Sequence, residues 1–169
     1  MTEQAEGSDT IRVGIVVGSR SDIAAADKAA AILDELGVPS EIRVISAHRA
    51  PELLSRFVAS ADGRGIRVFI AIAGLAAHLP GVVASQTTRP VIGVPMAGGV
   101  SDGIDALLAI VQMPKGVPVA TVGVGNGENA GLLAAAILAV SDPALGQRLA
   151  ARRAAQADAI AADEANKGL

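Results

Sequence analysis

The sequence contains no cysteine, tryptophan or tyrosine, and the aromatic residues among its 169 are Phe57 and Phe69. Without cysteine the chain cannot form disulfide bonds, a thiolate nucleophile, a zinc finger or an iron–sulfur cluster. The shortage of aromatic rings argues against sites that bind nucleic-acid bases or sugars by stacking.

Charged residues are also scarce, at 18% of the chain compared with about 25% in a typical soluble domain. The formal net charge of −3 argues against a nucleic-acid partner bound through its phosphates. The hydrophobic fraction of 51% and the mean hydropathy of +0.47 exclude disorder for most of the chain. They also indicate that more apolar surface is buried than one domain of this size can bury alone.

No targeting signal or membrane span is predicted. Residues 1–9 are polar and acidic and lack the basic and apolar segments of a signal peptide. The longest uncharged run, at 68–88, is interrupted by His78 and Pro80 and is therefore a poor membrane span. We expect a cytoplasmic protein with no membrane partner.

The length fits one domain. We expect a flexible acidic arm at 1–10, a single catalytic α/β domain at 11–165 that ends in a C-terminal helix, and a short tail at 166–169.

Strand-like and helix-like segments alternate along this domain. Runs rich in β-branched residues predict five strands, at 11–17, 41–45, 66–73, 90–94 and 118–124. Start and stop signals predict helices at about 22–36, 51–58, 79–86, 102–111, 129–140 and 143–167. This alternation predicts a parallel sheet with helices on both faces. Five strands favour a flavodoxin-like three-layer αβα sandwich with strand order 2-1-3-4-5 and an extra C-terminal helix.

The predicted helix at 129–140 is apolar all round, whereas a surface helix normally has a polar stripe. It lies either at the centre of a subunit interface or under the terminal helix. The high hydropathy of the whole chain favours the interface.

Three loops are candidates for a binding site. In a doubly wound sheet the site lies at the carboxyl ends of the strands, near the point where the strand order reverses. The loops that meet there are 18–22, 46–51 and 74–81. Both histidines of the sequence, His48 and His78, lie in these loops among small residues that leave space for a ligand.

The first loop offers hydroxyls and backbone N–H groups at the start of a helix, which together favour phosphate binding. Asp22 can accept hydrogen bonds from sugar hydroxyls. The alternative is that Ser21 or Asp22 simply caps the helix.

The second loop places His48 and Arg49 just before a helix. The planar guanidinium of Arg49 suits a phosphate. The positive surroundings disfavour the imidazolium form of His48, so this ring can take up a proton near neutral pH and return it. A loop histidine that is bonded to the backbone is the alternative.

The third loop has exposed N–H groups that could bind a carboxylate, with His78 orienting that group or a water molecule. The alternative is a turn that only leads into a helix at Pro80. A metal held by Asp22, His48 and His78 is disfavoured, because the histidines lack the spacing of metal ligands. The three loops together predict a site for a phosphorylated small molecule with a histidine acid/base.

Seven segments of the sequence carry a recognisable pattern: 18–22, 46–51, 76–81, 90–95, 105–114, 116–121 and 129–133. Taken in order, they resemble the class I N5-carboxyaminoimidazole ribonucleotide mutases of purine biosynthesis, the family of the phosphoribosylaminoimidazole carboxylase catalytic subunit. The resemblance runs from about Val13 to about Leu149.

This resemblance implies a flavodoxin-like fold and a homo-octamer with sites between subunits. It implies that the substrate is N5-carboxyaminoimidazole ribonucleotide, that the product is 4-carboxy-5-aminoimidazole ribonucleotide, and that no ATP, metal or organic cofactor takes part. His48 then corresponds to the acid/base and His78 to a second histidine of the pocket. The other substrate-binding residues that we expect are Ser19, Ser21, Asp22, Ser46, Ala47, Arg49, Gly74, Ala76 and Leu79.

The chemistry of this reaction fits the residues. One histidine can protonate the nitrogen that loses the carboxyl group and later take a proton from the carbon that gains it. A dry pocket lined by residues 74–77 could hold carbon dioxide between these steps. Leu75 is a departure, because the family usually has glycine there and a left-handed backbone is costly for leucine.

Two other functions fit the same fold. One is the class II aminoimidazole ribonucleotide carboxylase, which uses carbon dioxide directly, and the other is a non-catalytic nucleotide-binding module. The intact segment 76–81 favours the mutase over the carboxylase. Retention of Asp22, Arg49 and both histidines argues against a non-catalytic module.

Overall fold

The computed structural model describes residues 10–168, which form a five-stranded parallel sheet in the order β2-β1-β3-β4-β5. The strands are β1 (Val13–Val17), β2 (Ser40–Val44), β3 (Val68–Ala73), β4 (Val91–Pro95) and β5 (Ala120–Thr121). The predicted α/β fold and strand order are therefore confirmed. Most of the predicted acidic arm and the last residue of the tail lie outside the described residues.

Six α-helices connect and cover the strands in the described part of the chain. They are α1 (Ile23–Glu35), α2 (Pro51–Ala59), α3 (Leu79–Ala84), α4 (Ile104–Val111), α5 (Gly127–Ala139) and α6 (Pro143–Ala161). Proline begins α2 and α6, at a position where the missing N–H group costs no hydrogen bond. No helix within residues 10–168 combines the length and the apolar character needed to cross a membrane.

The sheet separates two apolar cores. β1, β3 and β4 are buried along their whole length, as expected for parallel strands with helices on both faces. Alternate residues point to opposite sides, so that Ile15 and Ile70 pack towards α1 and α5 while Val16 and Phe69 pack towards α2 and α3.

The two edge strands differ from this pattern. β2 leaves Arg43 and Val44 exposed. The predicted strand at 118–124 was too long, because β5 comprises Ala120 and Thr121 alone. β5 pairs with β4 on one side only, and the nearby Pro118 has no N–H group to extend the pairing. The other four predicted strands begin and end within two residues of the observed ones.

Helix α5 packs tightly against α1. A Cβ atom built on Gly127 would lie 2.0 Å from the carbonyl oxygen of Ala25, so the two backbones approach each other more closely than side chains allow. Helix α6 packs against α5, and its Leu145 is fully buried. Burial under the terminal helix therefore accounts for part of the apolar character of α5.

Candidate active site

All eleven residues that the sequence analysis predicted for the site line one cavity of about 610 Å³. The cavity lies where β1, β2 and β3 end, which is the edge that the strand order predicts. The first loop contributes Ser19, Ser21 and Asp22; the second contributes Ser46, Ala47, His48 and Arg49; the third contributes Gly74, Ala76, His78 and Leu79.

The first loop directs polar groups into the cavity. The N–H of Gly18 donates to the carbonyl oxygen of Ile72 at 3.1 Å, which ties the loop to the end of β3. Ser19 is extended, and its hydroxyl accepts the N–H of Ser21 at 3.4 Å. Asp22 precedes α1 but makes no side-chain hydrogen bond to the helix; its carboxylate accepts the Ser21 hydroxyl at 3.0 Å. The Asp22 carboxylate therefore does not cap α1.

The second loop is a tight turn before α2. The Ser46 hydroxyl accepts the N–H of Arg49 at 3.3 Å, and the N–H of Ala50 donates to the Ser46 carbonyl at 2.9 Å. The Arg49 guanidinium donates to the carbonyl of Gly18 at 3.2 Å, which joins the second loop to the first. Arg49 is exposed and makes no ion pair with any described residue, so its charge is available to an anion.

The third loop has an unusual backbone. Leu75 and Ala77 have φ angles of +55° and +44°, in the left-handed region that favours glycine. The N–H of Ala77 donates to the carbonyl of Gly74 at 3.0 Å and closes a turn. This turn places His78 directly before α3.

The two histidines are in direct contact, although 30 positions separate them in the sequence. His48 Nε2 and His78 Nδ1 are 2.7 Å apart, and the rings meet edge to face with centroids 4.9 Å apart. At this distance one nitrogen carries the shared hydrogen and the other accepts it. The pair can therefore hold and exchange a proton inside the cavity.

A fourth loop contributes residues that the sequence analysis missed. Met96 and Ala97, which follow β4, also line the cavity. The N–H of Met96 donates to the carbonyl of Ala73 at 3.0 Å, and a Cβ atom built on Gly74 would lie 3.3 Å from the Met96 Cβ. The predicted strand order could have indicated these residues, because β4 lies beside β3 and ends at the same edge of the sheet.

The cavity combines one cation, several hydroxyls, a carboxylate, an imidazole pair and a wall of small residues. Such a set can bind a phosphate and sugar hydroxyls and can move protons. Across residues 10–168, no group of three or more histidine, aspartate or glutamate side chains is placed to hold a metal ion.

Comparison with known proteins places these features in a family. The family model described as AIR carboxylase matches residues 12–159. The N5-carboxyaminoimidazole ribonucleotide mutase of Mycobacterium tuberculosis is 52% identical over 154 residues, which cover 91% of this chain and 88% of the relative. The protein of the same name from Methanocaldococcus jannaschii is 57% identical over 135 residues, which cover 80% of this chain and 83% of the relative.

A solved structure agrees with these sequence relatives. The crystal structure of Treponema denticola PurE superposes with a TM-score of 0.84 and 28% sequence identity. The superposition covers 93% of this chain and 98% of that chain.

Proposed function

The chain belongs to the AIR carboxylase family, and we propose that it converts N5-carboxyaminoimidazole ribonucleotide into 4-carboxy-5-aminoimidazole ribonucleotide in purine biosynthesis. The protein is then a mutase, an isomerase that moves one carboxyl group within its substrate. The contact between His48 and His78, in a cavity that Arg49 and Asp22 also line, is the main observation in support of this reaction.

The polar half of the cavity binds the ribose phosphate of the substrate. Arg49 supplies the positive charge, and the hydroxyls of Ser19 and Ser21 supply hydrogen bonds to phosphate oxygens. Asp22 accepts hydrogen bonds from the ribose hydroxyls. This arrangement leaves the aminoimidazole ring near the two histidines.

His48 then moves one proton twice. The bond between nitrogen and the carboxyl carbon breaks, its electron pair stays on the nitrogen, and His48 protonates that nitrogen. The ring carbon attacks the released carbon dioxide, and His48 takes back the proton that this carbon loses. The Nε2 atom of His48 contacts the Nδ1 atom of His78, so the two rings share a hydrogen and His78 gives His48 a partner for its proton.

Carbon dioxide must remain in the cavity between these two steps. The third loop presents small side chains, with Gly74, Ala76 and Ala77 along one wall. Such a wall leaves room for carbon dioxide and places no polar side chain beside it. Substrate and product are isomers, so the reaction needs neither ATP nor a redox cofactor, and the proposal includes none.

The proposal also includes a homo-octamer with sites between subunits, working in the cytoplasm. Exposed apolar side chains support association: Ile104, Leu108 and Val111 recur at helical spacing along one face of α4, and Val140 is 89% exposed. Sedimentation velocity should give eight times the chain mass of 16.8 kDa. A monomer at micromolar concentration would contradict the octamer.

Turnover of two substrates by the purified protein tests the activity. We expect the ultraviolet absorbance of the carboxylated imidazole to appear with N5-carboxyaminoimidazole ribonucleotide and without ATP. Efficient product formation from aminoimidazole ribonucleotide plus bicarbonate would indicate the direct carboxylase instead. Nucleotide binding without turnover of either substrate would indicate a non-catalytic module.

A further inference from the structure

Leu75 has a backbone conformation that leucine rarely adopts. Its φ angle is +55°, a region in which the Cβ atom of an L-residue crowds the following carbonyl oxygen. In the neighbouring loop after β4 the left-handed positions are three glycines, Gly98, Gly99 and Gly103, and Asp102. A glycine at position 75 would avoid this cost, so the leucine side chain lowers the folding stability relative to glycine.

The side chain of Leu75 lies at the rim of the active-site cavity. It is 64% exposed, whereas Leu79, another large apolar residue of the lining, is only 3% exposed. A Cβ atom built on Gly99 would lie 3.2 Å from the Leu75 Cδ2 atom. The side chain therefore reaches from the third loop to the loop after β4, whose Met96 and Ala97 also line the cavity.

We infer that Leu75 is a positioning residue that closes this side of the cavity and keeps carbon dioxide beside the ring carbon. This inference rests on the proposed function. Carbon dioxide carries no net charge, and the proposed function uses Arg49 for the phosphate, so the retention of carbon dioxide depends on side chains that obstruct its exit. Next to Gly74, Ala76 and Ala77, the isobutyl group of Leu75 is the bulky apolar part of the third loop before Leu79.

Escape of carbon dioxide can be measured separately from turnover. In a single turnover, enzyme in excess converts unlabelled N5-carboxyaminoimidazole ribonucleotide in buffer that contains [14C]bicarbonate and carbonic anhydrase. Carbon dioxide that leaves the cavity is replaced by labelled carbon dioxide, so the label in the product reports escape.

We expect Leu75→Ala and Leu75→Gly to raise the labelled fraction about tenfold, which corresponds to about 1.4 kcal/mol in the barrier to escape. Leu75→Met should restore low labelling, since it keeps a side chain of similar length. Leu53→Ala is the matched control, because Leu53 is an exposed leucine of α2 outside the cavity.

Thermal unfolding separates this function from a structural one. Leu75→Gly should raise Tm by relieving the backbone, while Leu75→Ala, which keeps the strained conformation, should not. Unchanged labelling in both variants would overturn the inference and leave the mutase activity intact. Failure of the unmodified protein to form any product would overturn the proposed function, and this inference with it.

Discussion

Replacement of Arg49 by alanine tests where the substrate phosphate binds. In the structure the Arg49 guanidinium makes one hydrogen bond, to the Gly18 carbonyl, and no ion pair with a described residue. A charge-assisted hydrogen bond to phosphate contributes about 1.5–3 kcal/mol. Loss of that bond should raise the Kd of the product nucleotide about 10- to 150-fold.

Isothermal titration with two ligands isolates the phosphate. We expect Arg49→Ala to weaken binding of 4-carboxy-5-aminoimidazole ribonucleotide and to leave binding of the corresponding nucleoside nearly unchanged. Arg49→Lys should recover part of the affinity, because lysine keeps the charge but not the planar pair of donors. Arg56→Ala controls for the loss of one exposed arginine on α2, outside the cavity.

Two results would refute this placement. Equal loss of nucleotide and nucleoside affinity would show that Arg49 shapes the loops rather than binding phosphate, since its bond to Gly18 joins two of them. Unchanged affinity for both ligands would place the phosphate elsewhere in the cavity.

Four further substitutions test the proton transfer, an ion pair and the helix packing. His48→Asn should abolish turnover while nucleotide affinity stays within about threefold, and near-normal turnover would remove His48 from the acid/base function. The hydrogen bond from Arg12 lowers the pKa of Asp142 in the folded protein. The ion pair therefore stabilises the fold fully above the pKa of Asp142 in the unfolded chain, about 3.9. This stabilisation is lost as the pH falls through the lower pKa of Asp142 in the folded protein. In urea unfolding, Asp142→Asn should therefore be less stable than the unmodified chain at pH 7, and this difference should shrink below about pH 4; a constant difference would contradict the ion-pair explanation. Gly131→Ala should destabilise by about 1–3 kcal/mol, because its Cβ would lie 2.7 Å from a carbonyl oxygen of α1, whereas Gly146→Ala in α6, with nothing within 4 Å, should stabilise by about 0.5–1 kcal/mol.

The central part of the fold could be predicted because its strands carry a strong signal. Buried parallel strands are apolar on both faces, and 68–73 is a continuous apolar run, rich in β-branched residues, that ends at Gly74. The predicted strand at 118–124 is also uncharged and rich in valine, yet only Ala120 and Thr121 pair with β4. Sequence composition records how apolar a segment is, but not how many neighbouring strands it has, and an edge strand has only one.

The position of the candidate site could be predicted because the strand order determines which loops meet. Strand order brings the ends of β1, β2 and β3 to one edge, and the residues with recognisable chemistry are in the loops that follow. Met96 was missed because a methionine after a strand does not indicate any particular binding or catalytic function. The left-handed conformation of Leu75 was indicated by the glycine usual in the family at this position and not by leucine itself, which disfavours positive φ, and the hydrogen bond between Ala77 and Gly74 forms only in the folded loop.

The contact between the histidines depends on the loop over β1, not on the strand order alone. β1 lies between β2 and β3, with Val17 in register with both Val44 and Ile72, so the ends of the outer two strands are about 9–10 Å apart. His48 and His78 nevertheless contact each other at 2.7 Å, which requires the first loop to leave the space between these strand ends free. Gly18 and Ser19 are small, and the bond from Gly18 to Ile72 holds the loop close to the sheet. The same two small residues that suit the loop for phosphate binding therefore also allow the imidazole pair to form.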